Sequence, residues 1–103
     1  MKQIIITYNL KDGITPKQFE DWVKTTDQPN MRSLKSVTQF RTFRTEALLM
    51  GEGKPSHSYV EIFDINDFDS FTTQDMAGEI VQKVMQDFMG LVENPQFIIA
   101  REV

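Results

Sequence analysis

Three of the four strand-like segments of this chain carry large apolar side chains at consecutive positions, so both faces of those β-strands are apolar. Residues 3–10 read Gln-Ile-Ile-Ile-Thr-Tyr-Asn-Leu, and residues 36–46 interleave Phe40 and Phe43 with polar side chains. Residues 57–64 contain Tyr-Val-Glu-Ile-Phe, and residues 97–102 open with Phe-Ile-Ile-Ala. β-Branched and aromatic enrichment marks all four as strands. Period-two alternation then sets Ile4 and Ile6 against Ile5, Tyr59 and Phe63 against Val60 and Ile62, and Phe97 and Ile99 against Ile98 and Ala100.

Helical patterns separate these strands. Thr15, Pro16 and Gln18 form a start signal with a reciprocal cap, followed by an apolar face of Phe19, Trp22 and Val23. Pro29 is expected to interrupt this helix, leaving Met31 and Leu34 in one further turn. Asn66 or Asp67 is expected to cap a short turn bearing Phe68 and Phe71. Thr72 with Asp75 then predicts the start of a longer helix, striped by Ala77, Ile80, Val81, Val84, Met85, Phe88, Leu91 and Val92 and ended by Asn94-Pro95. The order βαββαβ predicts a single α+β domain over residues 1–103. Its form is a ferredoxin-like sandwich with a four-stranded antiparallel sheet ordered 4-1-3-2 and both helices on one face.

Helices on one face leave four or five large apolar side chains on the other. At about 1.5–3 kcal/mol for each large side chain, leaving five of them wet forgoes roughly 7–15 kcal/mol. That equals the whole stability of a domain this size, roughly 5–15 kcal/mol. Pairing two copies through this face satisfies the patch with closed symmetry. The competing reading folds the loop Ala47-Leu48-Leu49-Met50 over the same face.

The composition narrows the function. A net charge of −4 supplies no basic field, so neither nucleic acid nor an anionic membrane is an expected partner. No apolar run approaches the ~20 residues that span a bilayer, and Met1-Lys2-Gln3 leads directly into a strand rather than a signal segment. There is no cysteine, which excludes disulfides and thiolate chemistry and fits a cytoplasmic setting. No carboxylate or histidine spacing offers a metal site, and no glycine-rich loop cradles a phosphate, so no cofactor is expected.

Glu61 stands out because it sits between Val60 and Ile62 in a strand expected to be flanked on both sides. A carboxylate there is costly unless it is paired or faces a wet pocket. It reads either as a general base or ligand anchor with a raised pKa, or as the partner of Arg41 or Arg44 on the neighbouring strand. Those arginines lie on opposite faces, so only one can share a face with Glu61. An anionic ligand near them is a further possibility. His57, the lone histidine, reads as a proton shuttle at the strand mouth or as a solvated loop residue. Phe19, Trp22 and Tyr59 read as the lining of a flat aromatic pocket or as plain core. Asn9 offers an amide to a ligand or shapes the following turn.

The stretches Asn9-Leu10-Lys11-Asp12-Gly13, Phe19-x-x-Trp22-Val23 and Asp27-x-Pro29-x-x-Arg32-x-Leu34-x-Ser36-Val37 carry a resemblance. Tyr59-Val60-Glu61-Ile62 and Pro95-x-Phe97-Ile98-x-Ala100-x-Glu102 extend it over nearly the whole chain. Together they resemble the dimeric α/β-barrel superfamily, and within it the RedY-like (HapK) family linked to prodigiosin-type pigment biosynthesis. The resemblance implies homodimers whose sheets face each other, with a ligand held in each subunit between sheet and helices. The superfamily includes cofactor-independent monooxygenases, lactone isomerases, dehydratases and small-molecule binders. The expected function is a small-molecule protein of secondary metabolism acting on a flat, apolar substrate. Glu61 and His57 are its candidate catalytic residues, and Asn9, Phe19, Trp22, Arg41, Arg44 and Tyr59 its candidate binding residues. A non-catalytic carrier of a hydrophobic intermediate is the alternative.

Overall fold

In the computed structural model, which describes residues 1–103, strands β1 (Lys2–Leu10), β2 (Val37–Arg44), β3 (Tyr59–Ile65) and β4 (Val92–Arg101) form one antiparallel sheet. Its order is β2-β3-β1-β4, the arrangement expected from the βαββαβ sequence. The pairing register sets Ile6 opposite both Glu61 and Phe97, and Thr42 opposite Glu61. These residues all point toward the helices. There Ile6, Tyr8, Phe40, Tyr59, Phe63 and Ile65 build the floor of the core.

The first helical arm differs from the expected interruption. Helix α1 (Pro16–Trp22) carries the Thr15–Gln18 capping box, passes into a π-helical turn at Val23–Asp27, and continues as α2 (Gln28–Arg32). Pro29 lacks the N–H that an α-helix would direct at the Thr25 carbonyl, and its ring crowds that oxygen. A wider turn avoids both conflicts without ending the helix. The consequence is positional. Phe19, Val23, Asp27 and Met31 repeat every four residues, and in a pure α-helix such a set drifts about 40° per step. The π turn reduces the drift, and all four side chains are buried on one face.

The second arm also departs from expectation. Asp67 caps α3 (Phe68–Ser70), its carboxylate accepting from the Ser70 amide and hydroxyl, and a second π turn follows at Phe71–Asp75. The long helix α4 (Glu79–Leu91) therefore starts after Gly78, not at Thr72. Asp75 instead accepts a hydrogen bond from the Ser36 hydroxyl, tying this segment to the start of β2. Val92, expected in the helical stripe, opens β4. The strand absorbs Asn94-Pro95 as a register shift opposite Thr7 to Asn9, with Asn94 at φ 51°. Proline is tolerated there because β4 is an edge strand.

The opposite sheet face carries Ile5, Phe43, Val60, Ile62 and Ile98 and receives no helix. Phe43 and Ile98 are each about two-fifths exposed. The loop after β2 does not cover them: Leu49 and Met50 stand 99% and 84% exposed.

Candidate functional site

Between the sheet and the second half of the helical layer lies a cavity of about 530 Å³. Its floor is Ile4, Ile6, Glu61, Phe63, Phe97 and Ile99. Its roof comes from the two π turns, α2 and α4. Phe97, Ile99, Met76 and Met89 line it while remaining partly exposed, so its mouth opens along edge strand β4. Of the seventeen lining residues only Asp27, Glu61 and Thr72 are polar. The Thr72 hydroxyl is already committed to the carbonyls of Phe68 and Asp69.

Glu61 and Asp27 meet at the bottom of this cavity, 2% and 3% exposed. Tyr8, itself fully buried, donates its hydroxyl to Glu61 Oε1 at 2.7 Å. Asp27 receives no hydrogen bond from any amide, hydroxyl or cation of the chain, and its Oδ2 is occluded without a partner. Its hydrogen-bonding neighbour is the Glu61 carboxyl. Burial pushes Glu61 well above the usual carboxylate range, and the negative charge of Asp27 adds to it, while the Tyr8 hydrogen bond opposes the rise. Burial likewise pushes Asp27 up, to about 7. Two buried carboxyls in contact resist ionising together, so the pair keeps a proton beyond the ordinary carboxylate range. Burial and the adjacent Glu61 push the Tyr8 phenol far up, keeping it a donor.

Tyr8→Phe keeps the ring that packs on Phe19, Tyr59 and Phe88 but removes this donor. The expected cost is about 1–3 kcal/mol in urea denaturation. A variant as stable as the parent would show that the hydroxyl does not support Glu61.

The other candidate residues gather elsewhere. Neither arginine pairs with Glu61. Arg44 shares the helix-side face but binds Glu20 Oε2 at 2.8 Å, and that carboxylate also accepts from the Tyr59 hydroxyl at 2.7 Å. Arg41 lies on the open face, over the Phe43 ring. Phe19, Trp22 and Tyr59 do not line the cavity. Phe19 packs edge-on to Tyr8 and Tyr59, and Trp22 donates its indole N–H to Asp87 at 3.3 Å. Helix α1 packs its rings against this end of the sheet. His57 sits in the loop before β3, its ring beside the Ser56 hydroxyl and outside the cavity. Asn9 fastens that loop, accepting from the Ser58 amide and hydroxyl and donating to the Ser56 carbonyl.

Asp27 was not among the candidates, yet the sequence carried a signal. It falls four residues after Val23 and four before Met31, where an apolar stripe calls for another apolar side chain.

A ferredoxin-like α+β domain whose helices roof an apolar cavity with a buried carboxyl pair is the class that fold and site define. The family model described as REDY-like protein HapK matches residues 2–103, and the chain belongs to that family. HapK from Hahella chejuensis is 27% identical at a TM-score of 0.78, covering 100% of this chain and 93% of that one. SnoaB, described as a cofactor-independent oxygenase from Streptomyces nogalater, is 16% identical at a TM-score of 0.73, covering 99% and 93%. A dimeric ferredoxin-like protein from Thermobifida fusca is 14% identical at a TM-score of 0.75, covering 97% and 90%. No curated protein matches the sequence. No helix is long and apolar enough to cross a membrane.

Proposed function

We propose that this chain is a homodimeric small-molecule enzyme of secondary metabolism, of the prodigiosin-type setting its family suggests. It binds a flat, largely apolar ligand in the cavity and moves a proton on that ligand through the Glu61–Asp27 pair. The observation that carries the reading is the pair itself, two buried carboxyls at the bottom of an apolar cavity with no cation in its lining. Such a pair serves as base through its free carboxylate and as acid through its retained proton. Its raised affinity for protons brings both roles close to neutral pH. Proton transfer, cyclisation or substrate-assisted oxygenation are the reactions this equipment suits. The SnoaB neighbour, described as a cofactor-independent oxygenase, supports the last on the shared fold. The dimer rests on the bare apolar face and on the dimeric neighbour from Thermobifida fusca.

A neutral fluorescent probe tests the cavity. N-phenyl-1-naphthylamine is expected to bind once per subunit, and Met85→Trp, which places an indole in the cavity, is expected to weaken it at least about tenfold. Unchanged binding in that variant would place the probe elsewhere and sink the cavity reading. The carrier alternative keeps the same cavity, favoured by its overwhelmingly apolar lining. Glu61→Gln separates the two readings. At saturating ligand a proton-transfer enzyme loses about 10²–10⁴-fold in turnover, whereas a carrier keeps its flux.

A further inference from the structure

The cavity's charge balance is incomplete, and the missing charge is positive. Tyr8 occupies one Glu61 oxygen, while Asp27 Oδ2 is buried without a partner. The remaining lone pairs of Asp27 and Glu61 belong to an anion buried among apolar side chains. Isolating such a charge from water costs several kcal/mol unless a counterion meets it. The chain supplies none. No lysine, arginine or histidine lines the cavity. Arg32 donates to the Phe40 carbonyl, and Arg44 is paired with Glu20 on the far side of β3. Thr72, the other polar lining group, has its hydroxyl turned to its own helix.

Resting on the cavity reading above, we propose that the ligand bears a single basic nitrogen on an apolar body and binds as its cation, with the nitrogen donating to Asp27 and Glu61. An anionic ligand would bring a second negative charge into a site that already has one too many. A neutral carbonyl offers the carboxylates no proton, and a neutral hydroxyl offers a hydrogen bond but no charge. Shape is read less strictly than charge. Met31, Met76, Met85 and Met89 line the cavity, and their flexible thioethers repack around apolar bodies of different outline.

Three naphthalenes of matched shape test this by calorimetry at pH 7: 2-(aminomethyl)naphthalene, 2-naphthalenemethanol and 2-naphthoate. The wild-type protein is expected to bind the amine about 10–100-fold tighter than the alcohol, as a charge-assisted hydrogen bond in a dry site provides, and to leave the naphthoate unbound. In Asp27→Asn the amine's advantage over the alcohol is expected to shrink to about threefold or less. Glu61→Gln provides the same comparison should Asp27→Asn fail to fold. Amine and alcohol binding alike in the wild-type protein, or naphthoate binding tightest, would overturn the inference while leaving the cavity in place. Failure of all three, together with N-phenyl-1-naphthylamine, would remove the cavity reading and this inference with it.

Discussion

The double variant Asp27→Asn/Glu61→Gln is expected to match the wild-type protein in thermal stability at pH 4.5 and to exceed it by roughly 10 °C at pH 8. Both carboxyls have native-state pKa values raised above their unfolded values, Asp27 from 3.8 to about 7 and Glu61 from 4.5 to well above it. The native state therefore holds protons that the unfolded chain releases. Stability from this source is fully present below about pH 4 and is lost as pH rises through 7. Each retained proton costs about 1.4 kcal/mol per pH unit across that window. A few kcal/mol correspond to a melting shift on the order of 10 °C for a domain of this length. Asp21, Asp67 and Asp87 are shifted the opposite way by Lys17, Ser70 and Lys83, so their contributions fade only in stronger acid. Melting curves between pH 4.5 and 8 check this. A wild-type profile that does not fall toward pH 8, or a variant that runs parallel to it, would refute the retained proton. The result also bears on function: a pair that costs stability at neutral pH is a structural liability that proton chemistry or ligand binding justifies.

Ile62→Asp is expected to convert the protein from twice its 12.0 kDa chain mass to 12.0 kDa in sedimentation at micromolar concentration. Ile62 lies in β3, flanked by β1 and β2, on the face that no helix covers. A carboxylate at the centre of a sheet-to-sheet contact loses its water without gaining a partner. An isologous interface introduces it twice, so dissociation is expected to strengthen by at least about a thousandfold. The variant fold itself should survive, since the same carboxylate is solvated in a monomer. Two outcomes count against a dimer through this sheet face: a wild-type protein already sedimenting as one chain, or a variant that stays paired. In the second case the contact lies on another face.

Most of the architecture was legible in residue order. Alternation at β1, β3 and β4 fixed which side chains share a face, and the βαββαβ order fixed the strand arrangement. The Thr15–Gln18 box placed the start of α1 to the residue, because capping is a local contest for orphan amide protons. Errors clustered where local signals compete with packing. Pro29 reads as a helix end, but a π turn accommodates it. Thr72 and Asp75 read as a helix start, but their segment is drawn into a second π turn and tied to Ser36. Val92 fits the helical stripe, but the backbone is captured by pairing with Leu10.

For the candidate site, the sequence alone singled out Glu61, because a carboxylate inside an apolar strand is conspicuous in any fold. It offered Arg41 or Arg44 as the neighbour and did not point to a second carboxyl. Strand register settles cross-strand pairs, and by that test Arg44 was available. What lies above the sheet depends on how a helix is rotated, and here a widened turn brings Asp27 onto the stripe of Phe19, Val23 and Met31. Aromatic residues were equally ambiguous in sequence, since a ring at helical spacing serves core and pocket alike. Only the tertiary structure shows that α1 closes tightly on Tyr8 and Tyr59 while the two π turns and α4 leave space over Glu61. The sequence thus determined the sheet, its two apolar faces and the one acidic residue out of place. The packing of helices on that sheet, a long-range balance that no local pattern encodes, decided where the cavity opens and which second acid reaches it.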